Sequence, residues 1–216
     1  MAQCCEVEEP HEYFPTEGKI WHQDDCLGPQ KRGLCAFVHK SYEGNQEWNF
    51  AFSIGMAANE EKTPLIQEIA SAGSPLNPNY FIDAENLELW IESELAGLCR
   101  YTFSNGDESV EELESDEPLR LVISLSAVFI RPLYHSLGFG ELLNEQLAEL
   151  MVSGVLTRLL QNKAKCSAMD VLLTADFESS QGEAFFDYLT DQLEFKLELV
   201  STQFDVPIEL HTDAGY

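Results

Sequence analysis

The stretch Val128-Phe129-Ile130-Arg131-Pro132-Leu133-Tyr134-His135-Ser136-Leu137-Gly138-Phe139-Gly140-Glu141-Leu142-Leu143 decides the reading of this chain. It closes a run, Leu119–Ile130, that is long, β-branched and nearly uncharged, as a central strand covered on both faces would be. Arg131-Pro132 ends that strand. Gly138-Phe139-Gly140 then opens a helical pattern. Leu142, Leu143, Leu147, Leu150 and Met151 recur at three-to-four spacing, and the pattern continues through Val155, Leu156, Leu159 and Leu160 to about Gln161. Gly154 is where such a helix would kink or split. A glycine-rich turn between a buried strand and a helix suits an anion, because the helix's first N–H groups lack internal acceptors and its dipole favours negative charge. The plain alternative is a tight turn without a ligand. Ser136 breaks the Gly-x-Gly-x-x-Gly dinucleotide fingerprint, and no Lys-Ser/Thr follows the glycines as in a Walker A loop.

Beyond this helix, Met169, Val171, Leu173, Ala175 and Phe177 alternate with polar positions and predict a strand over 168–177. Residues 180–192 read as a helix, and 195–204, with alternating apolar residues, as a strand. Before the deciding stretch, 34–39 and 48–54 are β-prone runs around the turn signal Glu43-Gly44-Asn45-Gln46, so a hairpin is expected. Residues 60–72 predict a helix with Thr63 as cap and Pro64 in the first turn. Residues 87–92 and 95–103 predict two strands, the first with Leu87, Leu89 and Ile91 on one face and Glu88, Trp90 and Glu92 on the other. Residues 106–118 form an acidic loop. The expected division is an acidic arm with a hairpin over 1–59, then one α+β domain over 60–216.

Val128–Leu143 resembles the coenzyme A-binding motif of the GNAT superfamily of N-acetyltransferases, which runs hydrophobic strand, x-Pro-x-Tyr/Phe, Gln/Arg-x-x-Gly-x-Gly/Ala, then a leucine-rich helix. His135 stands at the Gln/Arg position, and Ser136 and Leu137 replace the usual Gly and Lys/Arg. Gln181-Gly182-Glu183-Ala184-Phe185-Phe186-Asp187-Tyr188 is similar to the family's Asn-x-x-Ala-x-x-Phe-Tyr helix, with Leu193-Glu194-Phe195 where Leu-Gly-Phe is usual. The resemblance spans about residues 60–205.

It implies a three-layer α/β/α fold with a mixed, mostly antiparallel central sheet splayed at the cofactor site. It further implies that the pantetheine arm of acetyl-CoA pairs with the backbone of Val128 and Ile130. The pyrophosphate would sit on His135, Ser136, Leu137, Gly138, Phe139 and Gly140. Tyr188 would protonate the departing thiolate, and a backbone N–H near Val128 would hold the oxyanion. Tyr188 equally reads as a core aromatic. Glu88, Glu92 and Glu94 are candidates for the base and equally for surface carboxylates. Arg131 and His135 stand beside the loop, with Arg100 and Arg120 as further candidate cations.

The chain has 216 residues, with 12 basic and 38 acidic side chains and a formal net charge of −26. That field repels nucleic acid and anionic lipid and attracts cations, so the expected partner is a small-molecule or protein amine acceptor, with a homodimer left open. No run approaches the ~20 apolar residues of a membrane span, and the acidic Met1–Pro10 lacks a signal-peptide layout, so a cytoplasmic location is expected. The six cysteines are irregularly spaced, without Cys-x-x-Cys, and read as reduced thiols. His22, Cys26, Cys35 and His39 carry donors suited to zinc, but their order does not match common finger spacings, and no metal is expected. The alternative function is a catalytically inactive GNAT-fold acidic protein that binds a basic partner.

Overall fold

The computed structural model describes residues 33–40, 47–71, 76–82, 85–105, 118–162, 166–176 and 179–215. The elements run β1 (Gly33–Lys40), β2 (Glu47–Ile54), α1 (Asn59–Ser71), a 3-10 turn (Pro78–Phe81), β3 (Leu87–Ile91), β4 (Glu94–Asn105) and β5 (Leu119–Ile130). A second 3-10 turn (Pro132–Tyr134) leads into α2 (Phe139–Asn162), followed by β6 (Met169–Asp176), α3 (Ser180–Phe204) and β7 (Ile208–Gly215). Among the described residues seven strands form one sheet in chain order. β1 to β5 pair antiparallel; β5 with β6 and β6 with β7 pair parallel. The two parallel steps each need a helical crossover, supplied by α2 and α3.

The sheet has two apolar faces. On one, Leu65 and Ile69 of α1 and Phe81 pack against Ala51, Trp90, Leu98 and Ala127. On the other, Leu143, Leu147, Met151 and Val155 of α2 and Phe186, Leu189, Leu193 and Leu197 of α3 cover Leu89, Ile91, Leu121, Ile123 and Val171. The architecture is therefore α+β, a mixed open sheet with helices on both faces. Burial of these side chains, each worth about 1.5–3 kcal/mol, is the principal stabilising term.

Several expectations change. α1 starts at Asn59, so Pro64 lies inside the helix and Thr63 is no cap; its hydroxyl donates back to Asn59 O at 2.9 Å. Glu61 sets the earlier start by accepting from Ala58 N–H at 2.9 Å, half of a capping box. β3 is buried along its whole length rather than two-faced. β5 is covered on both faces only near its end, where Ala127 packs under α1; before that Leu119, Leu121, Ile123 and Leu125 are buried, whereas Arg120 is exposed and Val122 and Ser124 are half-buried. α2 does not break at Gly154, which instead makes room for the Phe103 ring.

The largest correction concerns 195–204, which is helix and not strand. Leu193, Leu197 and Val200 continue the helical spacing begun by Phe186 and Leu189, while Phe195 and Leu199 are exposed. The apolar alternation there is incidental. α3 stops where Asp205 adopts left-handed backbone, its N–H on Ser201 O, and Pro207 follows. The last strand is β7, in which only Ile208 and Leu210 carry the apolar pattern. The acidic loop over 106–117, the turn at 43–46, and His22 and Cys26 lie outside the described residues.

Candidate functional site

The site is built where β5 outruns its neighbour. Arg100 pairs with Ala127 and Tyr101 with Leu125, so Ser126 is an extra residue, a β-bulge. The bulge inverts the side-chain parity of the strand: Leu119 to Leu125 face α2 and α3 at odd positions, whereas after it Val128 and Ile130 face that side and Ala127 and Phe129 the other. Pairing with β6 ends at Leu125–Ala175, one residue before the bulge. Beyond it, β5 is paired with β4 alone among the described residues.

Backbone groups alternate in direction along an antiparallel ladder. Arg131 N–H donates to Ala96 O of β4 at 2.8 Å, so Arg131 and Phe129 point toward β4. Val128 and Ile130 therefore direct their N–H and C=O groups away from β4, toward the side where β6 has ended. An imidazole nitrogen of His135 lies 2.7 Å from Ile130 O, which satisfies that carbonyl.

The following loop is held by aromatic packing. Tyr134 and Phe139 are buried, their rings meet edge-on at 6.0 Å, and both pack on Trp48, at 5.9 and 6.5 Å. Burial pushes the Tyr134 hydroxyl up, with Glu94 as the next cause. Between these anchors Ser136 and Gly138 take left-handed backbone, φ 60° and 86°. The first helical bond of α2 is Leu142 N–H to Gly138 O at 3.2 Å. Side chains of His135 and Ser136 are exposed, and Leu137, Gly138 and Gly140 are half-buried. A Cβ on Gly140 would find only Ile130 Cδ1, at 3.9 Å.

Tyr188 lies across from the first turns of α2. It sits on α3, 36 % exposed, and its hydroxyl is pushed up by burial, then by Glu145 and Glu141 of the first turns of α2. Beside it lies a residue that sequence reasoning passed over. Asn144 is buried between α2 and α3, donates from Nδ2 to Phe185 O at 2.7 Å, and leaves Oδ1 with no hydrogen-bond partner. Its signal was an asparagine inside the apolar face of a helix, at the point where leucine spacing predicts burial.

The candidate cations do not gather. Arg131 is committed to carboxylates, with Nη2 at 2.6 Å from Glu68 and Nη1 at 3.3 Å from Glu94. Arg100 donates to Glu85 O at 2.8 Å. Arg120 lies at the opposite end of β5, about 30 Å from the loop at ~3.3 Å per residue. His135, at the loop itself, is engaged with Ile130 O.

The candidate bases also separate. Glu88 is not at the surface but fully buried: Ser53 Oγ donates to one carboxylate oxygen, Ala57 N–H to the other at 2.7 Å, and Trp90 Nε1 donates to Ser53 at 2.7 Å. This network joins β2, β3 and the start of α1. Glu92, with Ser93 at positive φ, forms the β3–β4 turn and accepts from Asn49 N–H at 2.7 Å. Glu94 is exposed and paired with Arg131. Elsewhere, Cys35 and His39 fall in β1. Asp170, Glu209 and His211 place ligand atoms within 4.8 Å of one another on β6 and β7, at the end of the sheet away from the loop.

No described helix is long and apolar enough to cross a membrane. No family model and no curated protein matches this chain. A solved structure described as a bacterial toxin aligns with 72 % of this chain and 80 % of its own, at 17 % identity and a TM-score of 0.34, a level of likeness that transfers neither fold nor function.

Proposed function

We propose that this protein is an acyl-CoA-dependent N-acyltransferase of the GNAT type, moving an acetyl group to the primary amine of a cationic acceptor. The observation that carries this reading is that β5 after the Ser126 bulge pairs with β4 alone among the described residues, with Val128 and Ile130 turning their backbone groups away from β4 and Ile130 O taken by His135. Acetyl-CoA supplies the thioester that the amine attacks. Its amide-bearing arm pairs with that edge as an added strand would. The loop His135–Gly140 and the N-terminus of α2 receive the pyrophosphate. A backbone N–H near Val128 is the oxyanion donor. Tyr188, whose phenolate burial and the two glutamates disfavour, would donate its proton to the departing thiolate, and the proton lost by the attacking amine would pass to water. The charge of −26 draws a cationic amine to the site.

The electrostatics favour a second reading, an inactive acidic protein for a basic partner. Arg131 is occupied by Glu68 and Glu94, and Glu141 and Glu145 flank the place where phosphates would sit.

Thermal unfolding with and without acetyl-CoA separates the two. At a hundredfold excess over Kd, linkage gives about 2.7 kcal/mol, roughly 5–10 °C in Tm for a chain of this size. Gly138→Asp, which places a carboxylate where the pyrophosphate would lie, abolishes the shift. Absence of any shift at millimolar cofactor removes the enzyme reading.

A further inference from the structure

The outer face of the α2–α3 layer carries an apolar stripe outside the core formed by the described residues. Phe195 is 62 % exposed and Leu199 55 %, on a helix whose buried face is already complete with Phe186, Leu189, Leu193, Leu197 and Val200. At about 100° per residue, Tyr188, Phe195 and Leu199 fall within roughly 40° of one another on α3. On one side of this stripe lie exposed Asp187, Asp191, Glu194 and Glu198. On the other lies α2, where exposed Glu141, Glu145 and Glu149 form a row at four-residue spacing. Lys196 defines that side by pairing with Glu149 across the two helices. The surface is thus an apolar strip with a carboxylate row along each edge.

We infer that this face binds a basic amphipathic helix of a partner protein, its apolar residues laid on Phe195 and Leu199 and its Lys or Arg side chains reaching the two acidic rows. In this mode of recognition the incoming helix lays apolar anchors spaced three and four residues apart on an apolar surface, here Phe195 and Leu199. Charge complementarity selects the occupant. A second copy would bring the same carboxylate rows against these and be repelled, and an anionic membrane surface is repelled likewise. Tyr188, Glu141 and Glu145 border the proposed acetyl-CoA site, so the inference is tested at Phe195, Leu199 and the acidic row of α3, which lie outside it.

The test uses the full chain and a fluorescein-labelled synthetic peptide, with leucines on one helical face and lysines flanking them, read by anisotropy. Two control peptides accompany it: a scramble of identical composition, and a version with glutamine for lysine. The amphipathic basic peptide is expected to bind the wild type and both controls at least about tenfold more weakly. Phe195→Ser with Leu199→Ser, both at exposed positions, is expected to lose about tenfold or more, as is Asp191→Asn with Glu194→Gln and Glu198→Gln. Circular dichroism and the Tm of each variant report on folding, and any acetyl-CoA shift should persist in the serine variant. No binding, equal binding of the scramble, or indifference to the serine pair overturns the inference. So does a dimer in sedimentation velocity that the serine pair dissociates, which would assign the face to a second copy, or flotation with neutral phosphatidylcholine vesicles, which would assign it to a lipid surface.

Discussion

Arg131 Nη2 lies 2.6 Å from Glu68 Oε1, so the first residue after β5 is tied to α1 on the face opposite α2. The guanidinium that the sequence places beside a candidate phosphate loop is held away from it by a carboxylate 63 positions earlier. That pair sets the local charge at the site. Glu68→Gln is expected to cost about 1 kcal/mol, in the range for a partly exposed charged hydrogen bond. It is also expected to tighten acetyl-CoA binding by releasing the guanidinium. Urea unfolding and calorimetric titration of the variant measure the two effects.

Tyr188 divides the enzyme reading from its rival. Tyr188→Phe removes only the hydroxyl of a residue that is 36 % exposed, so stability should change little. A general-acid role predicts a fall in kcat of about 10²-fold or more with KM for the acyl donor nearly unchanged. Steady-state kinetics with a polyamine acceptor measures both parameters. An unchanged kcat removes Tyr188 from the chemistry.

Gly154 faces the ring of Phe103, and a Cβ there would stand 2.7 Å from ring carbons. Gly154→Ala in the wild type is therefore expected to destabilise by about 1 kcal/mol, the overpacking strain exceeding the gain in helix propensity. In a Phe103→Ala background the same change should stabilise by about 0.5–1 kcal/mol, since only the propensity term remains. A double-mutant cycle by urea unfolding reads the reversal of sign.

Alkaline pH should destabilise the fold. Burial pushes the Cys99 thiol far above its ordinary value of 9.0, and burial raises Tyr101, Tyr134 and Tyr188 above 10.0. In each case the folded chain retains a proton that the unfolded chain releases. The stabilisation is complete below the unfolded value and is lost as pH rises past it, first above about 9 for the thiol, then above about 10 for the phenols. Cys166, which burial also raises, adds to the earlier phase, so Cys99→Ala should shrink the earlier part of the decline and leave the later part. Urea midpoints between pH 7 and 11 follow both phases.

Much of the fold was legible from periodicity. Met169, Val171, Leu173 and Ala175 are buried at alternate positions, and α2 buries Leu143, Leu147, Met151 and Val155 at helical spacing, because one covered face dictates which positions are apolar. Periodicity misled where apolar residues serve something other than the sheet core. Phe195 and Leu199 mimic a strand by alternating with Leu197, yet they lie on the outside of α3. Trp90 and Glu88 read as an outward face of β3, yet α1 and the Phe81 turn cover them, and Glu88 enters the interior with Ser53 and Ala57 as donors.

The sequence alone carried the strand-loop-helix order around Gly138, the acidic field and the apolar spacing of α2, since these depend on neighbours along the chain. Tertiary structure decided the bulge at Ser126, the burial of Glu88, the orphan Asn144 Oδ1 and the capture of Arg131 by Glu68. A bulge exists only relative to the register of β4, and a charge is free or paired only relative to what a distant segment brings within about 3 Å. Linear spacing does not encode those distances; packing of α1 and α3 on opposite faces of the sheet sets them.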